Sequence, residues 1–158
     1  MYHLNLTTSL VPAQSDIETR EITIGGMLRE VAAARPDAEA LVEVRQDGSK
    51  GRRWTYAELL FDTERLAMAL STRFDPGERI VVWSPNSPEW VLMEYACALS
   101  GLVLVTANPA FQARELAYVL EQSGAVALFL VKEFRGNPMG QIGTEVTKTI
   151  KGIREIQT

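Results

Sequence analysis

Apolar and polar positions along this chain switch repeatedly between a helical and an extended period. Ile24, Met27, Leu28 and Val31 have the spacing of one buried helical face. Thr23 stands where a helix cap is wanted, and Pro36 ends the pattern. Residues 40–44 read as a strand, Asp47-Gly48 as a turn, and residues 52–55 as a second strand pairing back. Thr55 and Glu58 then form a capping-box pair. The helix they open carries Leu59, Leu66, Leu70 and Phe74 on one side, and Asp75-Pro76-Gly77 breaks it. Arg79–Trp83 is a short apolar strand followed by the loop Ser84-Pro85-Asn86.

Ser87 is placed to cap the next helix, with Pro88 in its first turn, where a missing N–H costs little. Residues 90–99 are almost all apolar, which predicts a helix with little solvent face, sandwiched within the body. Gly101 ends it. Residues 102–106 form a continuous apolar strand of the kind buried on both faces in parallel sheets. A helix over 113–122 stops at Ser123-Gly124, and 126–131 is another strand of the buried kind. Gly136-Asn137-Pro138 is a loop, and 139–150 reads as a polar-faced helix on Ile142, Val146 and Ile150. Residues 153–156 begin a further strand. There is no internal repeat and no low-complexity stretch. The alternation predicts a three-layer α/β fold, its sheet mostly parallel, with right-handed crossovers and helices on both faces.

With 158 residues, 46% of them apolar and 23% charged, the chain has the make-up of one ordinary globular domain. Residues 21–158 are expected to form the α/β body. Residues 1–20, polar and aperiodic, read as a loose arm. A net charge of −4 argues against general nucleic-acid binding. Cys97 is the single cysteine, so no internal disulfide or thiolate cluster forms. It reads as a core thiol in a protein of the reducing cytoplasm. No apolar run approaches the ~18 residues of a membrane span, and the start lacks the basic-then-apolar pattern of a signal peptide.

The residue types that carry chemistry are sparse. Gly25-Gly26 lies inside a helical pattern, without a strand ahead or a Walker lysine, and reads as close packing rather than a phosphate loop. Gly140 and Gly143 read as a flexible helix start, with Lys148 too far along to serve a glycine cradle. His3, the only histidine, stands near the terminus, which argues against a Ser-His-Asp or Cys-His site. Glu58, Asp62 and Glu64 read as a cap and solvated helix residues. Arg52-Arg53 reads as a solvated basic pair, and Trp54, Trp83 and Trp90 as packing. Asn108-Pro109 follows a strand of the parallel type, and open α/β sheets hold ligands at strand carboxyl ends. That raises residues 107–111 above the background. From the residues alone, this is an α/β body without a self-sufficient active site, and the activity stays open.

A resemblance adds to this reading. Trp54-Thr55-Tyr56-Ala57-Glu58-Leu59 resembles the first core motif of the AMP-forming acyl-CoA synthetases, within the adenylate-forming superfamily, and the segment from Gly101 to Pro109 resembles the second. Pro85-Asn86-Ser87-Pro88-Glu89-Trp90 lies between them at family spacing. Asn108-Pro109-Ala110-Phe111, followed by Glu115-Leu116 and Tyr118, is the variant found in fatty-acyl and aryl-CoA ligases, whereas amino-acid-activating domains carry Pro-x-Asp there. The likeness runs from about Thr23 to Thr158 and implies the first subdomain of a large N-terminal domain.

The resemblance implies an acid–thiol ligase. Such an enzyme uses Mg-ATP to turn a fatty or other carboxylic acid into an acyl adenylate and pyrophosphate, and coenzyme A then displaces AMP. The family's Ser/Thr/Gly-rich loop ending in lysine, its ribose-binding acid, its hinge and its C-terminal lysine come later in a family chain. None has a counterpart here, so no catalytic residue is assigned, and Lys148 and Lys151 do not fill the gap. Asn108, Pro109, Ala110 and Phe111 are implied to lie on the coenzyme A side, although some members carry two glycines at Pro109-Ala110. The chain is therefore expected to be the front of a fatty-acyl-CoA synthetase, inactive alone, binding no cofactor tightly and self-associating through an uncovered sheet edge or face. The alternative is a naturally short, non-catalytic binding or interaction module of the same fold. A flavodoxin-like nucleotide binder is disfavoured, because no phosphate loop follows the first strand.

Overall fold

The computed structural model describes Thr7 and residues 19–45 and 47–158; the expected arm, 1–20, and His3 fall almost wholly outside them. The elements are α1 (Ile24–Ala34), β1 (Glu39–Val44), β2 (Lys50–Thr55), α2 (Tyr56–Ser71), β3 (Arg79–Trp83) and α3 (Pro88–Ser100). They continue with β4 (Val103–Ala107), α4 (Ala113–Ser123), β5 (Ala127–Leu130), α5 (Met139–Thr147) and β6 (Glu155–Gln157). Strands β1 and β2 pair as an antiparallel hairpin. The other strands form a four-stranded sheet in the order β4-β3-β5-β6, every pair parallel.

Alternation along the central strand β3 builds the layers. Ile80 and Val82 pack with Ala67 and Leu70 of α2 and with Met93, Ala96 and Cys97 of α3. Val81 and Trp83 point the other way, into Leu116 and Leu120 of α4 and Met139 and Val146 of α5. The outcome is the expected three-layer α/β architecture, with helices on both faces of a parallel sheet. A third cluster, Leu28, Trp54 and Leu59, joins α1, the hairpin and α2.

Local chemistry sets the helix ends. Thr23 Oγ1 accepts from the Gly26 N–H at 3.0 Å, opening α1. The Thr55–Glu58 box closes in both directions, at 3.2 and 2.8 Å. Ser87 Oγ accepts from the Trp90 N–H, and Gly101, at φ 70°, ends α3 in the left-handed region that glycine adopts freely. Within α3 only Glu89 and Glu94 are exposed, because the helix lies between the sheet and the pair α1–α2. The close packing read into Gly25 is present: a Cβ there would stand 2.6 Å from Leu99 Cδ2.

Two expectations need correction. Residues 102–106 were expected to be buried on both faces, but β4 is an outer strand, and Val103 and Thr106 are exposed. A strand with one neighbour and partial helix cover keeps a wet side however apolar it is. The helix expected over 139–150 ends at Thr147. There the Thr147 and Thr149 hydroxyls donate back to the carbonyls of Gly143 and Val146, competing with the helical ladder. Ile150 still reaches the core beyond the helix end.

Thr63 is fully buried in α2, and its hydroxyl has no hydrogen-bond partner among the described residues. A buried hydroxyl without a partner keeps its desolvation cost. Thr63→Val, nearly the same shape without the hydroxyl, is expected to stabilise the fold by about 1 kcal/mol. Urea unfolding followed by circular dichroism checks this, and a less stable valine variant would contradict it.

Candidate functional site

The winding of the sheet reverses between β3 and β5. The β3–α3–β4 unit runs to one side, and the β4–α4–β5 unit crosses back over β3. Open α/β sheets hold ligands at this switch point, beyond the carboxyl ends of the strands. A cleft of about 660 Å³ lies there. Val82 and Ser84 line it at the end of β3 and Phe129 at β5, with Trp90 and Met93 from α3 and Lys132 at its polar edge. Most of the wall is apolar, the usual character of small-molecule sites. Trp90, read from sequence as packing, does pack on the core and also walls the cleft.

Glu89, at the start of α3, also lines the cleft and is held from outside it. Arg52 Nη1 lies 2.6 Å from Glu89 Oε1 and Arg52 Nε 3.2 Å from Glu43 Oε2, while the guanidinium sits over the Trp54 ring at 5.4 Å. The side-chain bonds from Arg52 hold both carboxyls below the ordinary carboxylate range, and the two acids raise Arg52 in turn. Arg52 is exposed, as the sequence suggested, and also joins the β1–β2 hairpin to α3. Asp62 likewise accepts from the Trp54 Nε1–H at 3.0 Å, and Glu64 pairs with Arg29 at 3.0 Å. Sequence reasoning missed these pairs because each joins two different elements whose facing sides are set by the tertiary packing.

Asn108, Pro109, Ala110 and Phe111 lie at the carboxyl end of β4, ahead of α4, and none of them lines the cleft. Asn108 Oδ1 accepts from the Ala110 N–H, and the Asn108 carbonyl from the Phe111 N–H, both at 2.9 Å. The same carbonyl accepts from the Trp83 Nε1–H at 2.8 Å. Trp83, read as packing, thus also ties the sheet to this loop. Asn137, from the loop after β5, donates from Nδ2 to the carbonyls of Pro109 and Phe111, each at 3.1 Å. A Gly-Asn-Pro string signals only a turn, so nothing in the sequence announced that link.

Cys97 is the core thiol the sequence suggested: burial pushes it up to about 12 from its ordinary 9. Among the described residues, no three His, Cys, Asp or Glu side chains converge to hold a metal, and no helix is long and apolar enough to cross a membrane.

Together, the sheet order and the cleft define an open, doubly wound α/β domain. The AMP-binding enzyme family matches residues 28–157, and the chain belongs to that family. The human mitochondrial medium-chain acyl-CoA ligase ACSF2 is 39% identical over 140 residues, which are 85% of this chain and 22% of that protein. Among solved structures, the acetoacetyl-CoA synthetase from Streptomyces lividans superposes with a TM-score of 0.77 at 26% identity, over 85% of this chain and 22% of that one. The N-terminal domain of FACL13 from Mycobacterium tuberculosis gives 0.72 at 26%, over 86% and 33%. The chain thus spans about a fifth of the length of the curated relatives it matches, 22% in the human case.

Proposed function

We propose that this chain is the front of the large domain of an AMP-forming fatty-acyl-CoA ligase. In the whole enzyme, a carboxylate oxygen would attack the α-phosphorus of Mg-ATP and release pyrophosphate. The coenzyme A thiol would then attack the acyl carbonyl and release AMP. The family match over residues 28–157 carries this reading. The local structure supports it at both motif positions. Thr55 and Glu58 cap α2, and the second motif ends in a loop at the carboxyl edge of the sheet. Asn108–Phe111 is assigned to the coenzyme A side, since Asn108 and Ala110 are exposed at that edge. The described segment positions and walls the site, and the substrate is a fatty or other carboxylic acid.

The test compares the isolated 158-residue chain with the longest protein its open reading frame encodes. The long form should show acid-dependent exchange of pyrophosphate into ATP and contain a Thr-Ser-Gly-Thr-Thr-Gly-like loop. The isolated chain should show no exchange above a heat-treated control. It should also sediment as more than a monomer, because among the described residues β4 and β6 each have one side of their ladder unpaired. Exchange by the isolated chain would overturn the proposal. A natural stop codon together with a clean monomer would favour the short binding module instead.

A further inference from the structure

Loop 108–111 is pinned from three sides. Trp83 holds its first carbonyl from the sheet. Glu115 Oε2 accepts from the Gln112 N–H at 2.9 Å and holds the end that enters α4. Between these anchors, among the described residues, the side chain of another element that hydrogen-bonds to the loop backbone is Asn137. Its carboxamide spends both N–H bonds on the carbonyls of Pro109 and Phe111, while its oxygen accepts from Gln112 Nε2 at 3.4 Å. Pro109 has no N–H of its own, so its carbonyl is its whole backbone contribution to the loop.

The backbone around Asn137 is built to hold that carboxamide in place. Phe134 and Asn137 exchange both backbone hydrogen bonds, at 3.1 and 2.9 Å. The two residues between them, Arg135 and Gly136, have φ of 49° and 77°. Arg135 is the one described non-glycine residue with positive φ, a conformation that side chains other than glycine resist. Such strain persists where the surroundings over-determine it. Here the exchanged backbone bonds and the clamp on loop 108–111 supply that determination. The Gly140 N–H, which donates to the Lys132 carbonyl at 2.8 Å, ties the same turn to the start of α5.

We propose that Asn137 is a positioning residue: it sets the backbone of loop 108–111 and so the coenzyme A side of the site. This rests on the coenzyme A reading of that loop. Asn137 touches no reacting atom and acts through the carbonyls of Pro109 and Phe111. Asn137→Ala removes the clamp and keeps the backbone bonds to Phe134. Asn137→Asp keeps the shape and loses both donors.

The experiment uses the full-length ligase. In both variants, hydrogen exchange at the Ala110 and Phe111 amides should quicken by roughly tenfold, while the β3 and β5 amides keep their rates. The KM for coenzyme A in thioester formation should rise by roughly tenfold, with acid-dependent pyrophosphate exchange unchanged. Ala110→Glu serves as a direct probe of the loop, since it sets a negative charge against the anionic coenzyme. Unchanged loop exchange in the Asn137 variants would overturn the clamp. If Ala110→Glu raises the KM and Asn137→Ala does not, the positioning role fails and the loop assignment stands. If neither raises it, the coenzyme A reading of the loop fails.

Discussion

Trp83→Ala is expected to cost roughly 3–5 kcal/mol, the usual range for deleting a buried aromatic side chain. Trp83 is fully buried and is the largest fully enclosed side chain among the described residues. It ends the central strand β3, so a cavity there borders α4, α5 and β5 together. The indole N–H is also the sheet's bond to the Asn108 carbonyl. A loss of this size is a large share of the ~5–15 kcal/mol that typically holds a domain together. Urea unfolding followed by circular dichroism should show the midpoint falling sharply, or no folded baseline at all. Trp83→Phe separates the two contributions. It fills much of the space but leaves the Asn108 carbonyl with only the Phe111 N–H, so the loop amides should exchange faster with a smaller loss of stability. An alanine variant within about 1 kcal/mol of the parent would contradict the central role given to Trp83.

Gly143→Leu is the second large effect. Gly143 is buried in α5 where the helix meets the sheet. A Cβ added there would stand 2.8 Å from Leu130 Cδ1, 3.3 Å from Leu128 Cδ2 and 3.5 Å from Ile156 Cδ1. Alanine meets mainly side-chain methyl groups that can shift, and it gains about 1 kcal/mol of helix propensity, so Gly143→Ala should change little. Leucine adds three more carbons into a packed layer. Overpacking of that kind costs about 1–3 kcal/mol, and here it pushes α5 off β5 and the three-residue strand β6. Faster hydrogen exchange at Leu128 and Ile156, with the β1–β2 hairpin unaffected, is the expected pattern. Full stability in the leucine variant would show that α5 is free to move outward.

Much of this fold was readable before any coordinates. Thr23, Thr55 and Ser87 mark helix starts, and Gly101 marks a helix end, because capping depends on a few neighbouring residues. Residues 126–131 read correctly as a strand of the buried kind, β5, since a strand covered on both faces leaves a polar side chain no access to water. Residues 102–106 looked the same and turned out to form the exposed edge strand β4. Apolar content reports what a strand tolerates, whereas its place in the sheet order depends on which strands flank it. The end of α5 at Thr147 was missed for a local reason: the chain tightens there, and the Thr149 N–H and hydroxyl both donate to the Val146 carbonyl.

The candidate site divides along the same line. The sequence by itself determined most of the elements, the family motifs and the loop Asn108–Phe111 at the end of a strand. Tertiary structure alone decided that β3 and β5 are neighbours, with a cleft beyond their ends. It alone showed Arg52 bridging Glu43 and Glu89, and Asn137 clamping a loop more than twenty residues earlier in the chain. The physical reason is range. Caps, turns and apolar periods are set by contacts within about one helical turn or strand. The bonds that shape this site join residues brought together only once the sheet has formed.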